Sequence, residues 1–255
     1  MELWLTLLVI AVAVIAFVVY SNKRRAEREL ADTEAEARRL YERLGGQTMN
    51  LTAPGDDLAA GQALADAGER YTAAGSQLES ASTIRQYRLA AETSVEGLHY
   101  IRAARTAMGM DPGPEVPALP GQRGVGSLSE PVAAEVEGRS YTGSPTPDDE
   151  NRHYYPGGRV DGRPVPAGWY NTPWWQPALA GVGGALVGMM VFNAMLAPAY
   201  AGGMVEGASA DAAGDASGDA GGDAGDGGDA GGDAGGDAGD FGGDFGGGDF
   251  GGFDF

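Results

Sequence analysis

The chain has 255 residues, a formal net charge of −19, two histidines and no cysteine. Without cysteine there is no disulfide, thiolate metal site, cysteine nucleophile or lipidated cysteine, and an acidic chain with no basic patch does not bind nucleic acid through bulk electrostatics. Half of the glycines follow Tyr200 and twelve of the fourteen prolines lie between Pro112 and Pro177, so little sequence is left for a folded core.

Residues 1–22 open on "LWLTLLVIAVAVIAFVVY", Leu3 to Tyr20, apolar except for Thr6. Eighteen helical residues rise roughly 27 Å, enough for a membrane span. Glu2 stands where a signal peptide has a basic region, and no small-x-small cleavage site precedes "SNKRR", so an uncleaved anchor is the expectation. The next predicted element, 23–46, is a charged helix with Gly45-Gly46 as its stop. Ala26, Leu30, Thr33, Ala37, Leu40 and Leu44 follow 4-3-4-3-4 spacing, a thin coiled-coil seam suited to a stalk that continues the first span.

Within 57–109 the heptads "GQALADA", "GERYTAA" and "GSQLESA" repeat one pattern. Gly61, Gly68 and Gly75 share one position, Leu64, Tyr71 and Leu78 a second, and Ala67, Ala74 and Ala81 a third. Such a narrow stripe lets another helix approach closely, and that packing has to offset about 1 kcal/mol per glycine. The expected partner is the following stretch, whose face carries Ile84, Tyr87, Ala91, Val95, Leu98, Ile101 and Met108. Asp56 or Asp57 serves as the first N-cap, and Thr83 with Gln86 makes a capping box that would start a new helix. A helical hairpin turning near Ser80 to Thr83 is therefore expected, with one long helix as its rival. His99, beside that apolar face and without a second histidine at ligand spacing, reads as a partly buried structural or surface histidine, and the pair Glu92/Glu96 as ordinary carboxylates of a solvated helix.

Residues 110–168 are rich in proline and glycine and read as a poorly ordered connector. Two small β-hairpins are expected in it, turning at Glu137-Gly138 and Asp161-Gly162. Residues 169–200 begin with Trp169, Tyr170, Trp174 and Trp175, an aromatic collar at headgroup depth, followed by a second apolar run from about Pro177 to Tyr200 that reads as a membrane span, with a buried soluble helix as the rival for which the chain offers little cover. Ala180, Gly184 and Gly188 recur every four residues in that run, and with Asn193 they suggest close pairing of membrane helices. All seventeen basic residues lie between Lys23 and Arg163, which by the positive-inside rule puts the middle segment in the cytoplasm of a bacterium and both termini outside its plasma membrane. Residues 201–255 hold twelve aspartates and late phenylalanines with no basic residue, a composition that stays disordered and supports at most weak cation association.

The predicted fold class is thus mainly α: two transmembrane helices, a cytoplasmic helical hairpin with a coiled-coil segment, a connector with small β-hairpins, and a disordered tail. The stretches "YYPGGRVDGRPVPAGWYNTPWW", "RYTAAGSQLESA" and "AAETSVEGLHYIRAARTAMGMDPGPEVP" resemble a group of uncharacterised two-pass membrane proteins of high-G+C bacteria. That resemblance implies the layout and no activity. No catalytic, cofactor-binding or metal-ligating constellation is expected, since no H-E-x-x-H, G-x-S-x-G, P-loop or dinucleotide fingerprint occurs. The expected partners are the lipid bilayer and a protein, or a second copy, held through the helices. A non-enzymatic scaffold or adaptor is the functional expectation; the alternative is an accessory subunit of a membrane enzyme or transport complex, docked through the second span.

Overall fold

The computed structural model describes residues 2–176 and 184–212. Helix α1 runs from Glu2 to Asn50, α2 from Leu58 to Ser80 and α3 from Ile84 to Ala107. The Asp57 carboxylate caps α2 by accepting from the Ala60 N–H at 2.9 Å. Thr83 and Gln86 close a reciprocal capping box at the start of α3, so two helices form in place of one long one. The last turn of α3 is released by Gly109 at φ +66°, whose N–H bonds back to the Thr106 carbonyl.

Alanines make the close approach of α2 and α3 possible. Ala59, Ala60, Ala63, Ala67 and Ala74 on α2 and Ala90, Ala103 and Ala104 on α3 are all buried. Facing pairs such as Gln77 with Thr93 and Arg70 with Glu96 show the two helices to be antiparallel. From Glu29 onward α1 joins them: Arg88 donates to the Glu29 carboxylate at 3.1 Å, and Leu30, Ala37, Leu40 and Leu44 pack into the hairpin. The expected coiled-coil seam is therefore occupied within the chain. Gly45-Gly46 does not stop α1, because Leu44 is fully buried and the Tyr71 ring lies where a side chain at position 45 would project.

After the helices come β1 (Ser127–Leu128), β2 (Val132–Val136), β3 (Arg139–Ser144), β4 (His153–Tyr155), β5 (Gly158–Val160), β6 (Arg163–Val165) and β7 (Gly168–Tyr170). The β2–β3 and β5–β6 hairpins turn at Glu137-Gly138 and Asp161-Gly162, where all four residues have positive φ. The β2–β3 hairpin extends into one antiparallel sheet in the order β2, β3, β7, β4, whereas β5–β6 is a separate two-stranded ribbon whose Val160 and Val165 join the same apolar cluster. The apolar run resumes as α4 (Gly184–Val191), passes through a π-helical turn (Phe192–Leu196) and ends in α5 (Ala197–Ala201). Strand β8 (Val205–Glu206) then pairs with β1.

The expectation of two membrane-spanning helices is overturned: among the described residues no helix is long and apolar enough to cross a membrane. The membrane-based fold class falls with it, as do the multi-pass plasma-membrane location and the cytoplasmic middle segment derived from it. From Val191 onward the second run is core, whereas Leu186, Met189 and Met190 before it are exposed. Val191, Phe192, Met195, Leu196, Ala199 and Tyr200 are buried against the sheet, and the run is divided among a short helix, a π-turn and a second short helix. The first run is the opening of the 49-residue α1 and continues without a break into the charged sequence. The side chains described in it, Trp4, Ile15 and Phe17 to Tyr20, are exposed; most of the others lie outside the described residues.

The heptad glycines separate by environment. A methyl group at Gly75 would sit 2.9 Å from the Tyr41 hydroxyl, whereas at Gly61 or Gly68 it would meet nothing within 4 Å. Packing offsets the cost of glycine only at Gly75. Gly68→Ala is expected to stabilise the protein by about 1 kcal/mol, a rise of roughly 2–4 °C in Tm, while Gly75→Ala gains nothing or loses. Thermal unfolding of the two variants followed by circular dichroism checks this, and equal effects would refute it.

Candidate functional site

The aromatic collar expected at a bilayer surface is interior: Trp169 is 2% exposed, Tyr170 0%, Trp174 5% and Trp175 3%. Alternation along β7 sends its two aromatics to opposite faces of the sheet. Trp169 enters a cluster with Ala59, Ala63, Ala103 and Ala104 of the helical hairpin, and Tyr170 enters the cluster formed by Trp174, Trp175 and the second apolar run. The Tyr170 hydroxyl donates to the Pro166 carbonyl at 2.8 Å.

Of the other predicted packing residues, Ala180 lies outside the described residues, Gly184 begins α4, Gly188 is buried and Asn193 is exposed. The second apolar run is spent on the sheet, so its Gly188 meets Trp174 and Phe192 across a small cavity in place of a partner helix. In α2, Leu78 is buried with Ala37, Tyr87 and Ala90, Leu64 lies between two clusters, and Tyr71 stacks on Tyr41 with ring centroids 4.7 Å apart. The hydrogen bond to Tyr71 pushes the Tyr41 phenol up to about 12.

An open cavity of about 560 Å³ lies where α3 faces the connector and the β region, and its lining includes His99, Arg102, Glu115, Gln122, Tyr154 and Glu206. Its polar groups are largely committed to holding backbone. Arg102 Nη1 donates to the Gly113 and Pro114 carbonyls at 3.0 and 2.8 Å, and Arg105 Nε donates to the Asp111 carbonyl at 2.6 Å. His99 Nε2 lies 3.1 Å from the Pro117 carbonyl, and Gln122 Nε2 donates to the Pro156 carbonyl at 2.7 Å. The connector expected to be poorly ordered is thus strapped along α3. Proline lacks an N–H, so a proline-rich segment cannot satisfy its carbonyls by pairing with itself, and the α3 side chains supply the donors. The three-residue spacing of His99, Arg102 and Arg105 places them on one helical face, a signal available in the sequence and not used there.

A second polar group sits within the hairpin. Arg70 Nε and the Glu96 carboxylate are 3.1 Å apart, with Asp66 and Tyr100 beside them. Burial raises the pKa of both carboxyls and of the Tyr100 phenol, with Arg70 acting against it. Glu96 therefore departs from its reading as a solvated surface residue. A further cavity of about 430 Å³ is rimmed by Asp56, Asp57, Asp148, Asp149 and Arg152. Asp57 in it is the α2 cap, and the Asp148 carboxylate accepts from the backbone of Glu150 and Asn151. Among the described residues, no group of three or more histidines, cysteines or acidic residues could hold a metal ion. The aspartates of the tail from Asp215 onward lie outside them.

No protein family, curated protein or solved structure matches the chain.

Burial lowers the pKa of His99, and the neighbouring Arg102 charge adds to this while the Pro117 carbonyl opposes it. The unfolded histidine takes its proton near pH 6.5 and the folded one at lower pH, so between the two the unfolded chain binds more protons. Stability therefore falls as the pH drops below about 6.5 and levels off once the folded value is passed. His153 has the same sign, whereas Asp66 and Glu96 stabilise below their unfolded values and lose that contribution as pH rises through the folded ones. His99→Gln is expected to lose less stability than the natural chain between about pH 7 and pH 5.5. Urea midpoints at the two pH values check this, and equal losses would remove His99 from the account.

Proposed function

We propose that the chain is a non-enzymatic adaptor that works through protein–protein contact, with the first half of α1 as its contact element and a second copy of the chain as the partner. One observation carries this reading. The described side chains of α1 are exposed from Trp4 as far as Glu29, except the half-buried Ser21, whereas the rest of the helix is built into the bundle. That first part is roughly 40 Å of helix at 1.5 Å per residue. Phe17 is 70% exposed, and Val18, Val19 and Tyr20 follow it on successive faces. Large apolar side chains exposed in such number on one element mark a contact site.

Two further features support the adaptor reading over an enzymatic one. The His99, Arg102 and Gln122 side chains in the cavity beside α3 already hold connector carbonyls. The acidic groups of the second cavity include a helix cap and a loop brace.

Light scattering of the full chain across a concentration series tests the reading. The expected mass exceeds the 26.1 kDa of one chain and falls to it when Phe17→Asp and Val19→Asp are introduced together. A mass of one chain at every concentration would overturn the reading. So would unchanged association in the double variant, or flotation of the chain with lipid vesicles that the double variant abolishes.

A further inference from the structure

Trp174 is 5% exposed, and among the described residues its indole Nε1 has no hydrogen-bond partner. A buried N–H without an acceptor carries its full desolvation cost, so the position favours any acceptor small enough to reach it. Beside it lies a cavity of about 10 Å³ whose walls include Val165, Trp174, Gly188, Met189 and Phe192. That volume is close to the least that admits one water-sized atom. Arg163 lies over the Phe192 ring at 5.5 Å and closes one wall.

Met189 alone among these apolar wall residues is solvent-exposed, at 37%, so it is the wall residue through which water and small oxidants meet the cavity that Trp174 also lines. Met190, next to it and 39% exposed, does not line the cavity. An exposed thioether is oxidised by hydroperoxides. A sulfur lone pair attacks the terminal peroxide oxygen, the S–O bond forms as the O–O bond breaks, and the departing oxygen leaves as water or an alcohol with the proton. Sulfur is oxidised by two electrons and the peroxide is reduced by two. The product adds one oxygen atom, a strong acceptor, to a side chain that was apolar.

We propose that Met189 is a site of oxidation by hydroperoxides, at which the indole N–H of Trp174 receives the sulfoxide oxygen. The fold then holds the oxidised side chain in place, where a sulfoxide elsewhere in an apolar wall would disrupt it.

The test follows the indole N–H signals of the full chain labelled with 15N-tryptophan. The chain has four tryptophans, and Trp174 is assigned by through-bond experiments so that no destabilising variant is needed. Hydrogen peroxide is added until peptide mass mapping shows oxygen on Met189. The Trp174 signal is expected to move downfield and to exchange more slowly with solvent. Met189→Leu is expected to abolish both changes although Met190 still oxidises, and Met189→Gln, which brings an amide oxygen to the cavity, is expected to reproduce them without peroxide. The proposal is overturned if the signal stays put once Met189 is oxidised, or if Met189→Leu responds like the natural chain. It is overturned equally if the signal is already downfield and slowly exchanging before peroxide, which would assign the donor to a bound water.

Discussion

The contact on which the rest of the molecule depends is that of Trp169 with Ala59, Ala63, Ala103 and Ala104. A large indole can be buried against two antiparallel helices only where both present small side chains, and alanine at these four positions provides that space. Tyr154 holds the indole from the neighbouring strand, with ring centroids 5.1 Å apart, and Tyr100 of α3 meets Tyr154 edge-on at 6.2 Å. Helices and sheet are thereby joined by aromatic packing whose contact area no single pair of charges could match. Burial pushes the Tyr154 phenol up to about 12, which keeps it neutral at this junction.

With one face of the sheet committed to the hairpin, the other face needs its own cover, and the second apolar run supplies it. Phe192, Leu196 and Tyr200 are packed against the strands, and the Tyr200 hydroxyl reaches the Val125 carbonyl at 2.7 Å. Strand β8 then closes on β1, with Gly126 at φ +78° where a methyl group would strike the Glu206 carbonyl. The three layers explain why so few long elements are needed. Each strand is short, yet Val132, Val136, Tyr141, Tyr155, Val160, Val165 and Tyr170 share one buried cluster.

The parts of the structure legible in the sequence are those governed by neighbours a few residues away. The Thr83–Gln86 capping box and the Asp57 cap act within one helical turn, and Glu137-Gly138 and Asp161-Gly162 form tight hairpin turns because Gly138 and Gly162 take positive φ at no steric cost. The candidate site was less legible. His99 and Arg102 look like unremarkable helix-surface residues until the connector lies across them, and the role of Arg70 depends on Glu96 in another helix. The stacking of Tyr71 on Tyr41, which explains Gly45 and Gly75, likewise joins residues thirty positions apart in sequence.

By itself, then, the sequence determined where α2 and α3 begin, where hairpins turn and which segments are apolar, because capping, φ preference and side-chain polarity are local properties. It did not determine what the apolar segments are buried against. A run such as Pro177 to Tyr200 has the same hydropathy whether lipid or protein surrounds it, and Trp169 to Trp175 read equally well as a membrane collar or a core. Only the tertiary structure decided, by bringing the outer face of a sheet assembled from residues 132–170 against that run. Burial depends on partners distant in sequence, and a window of neighbouring residues carries no information about them.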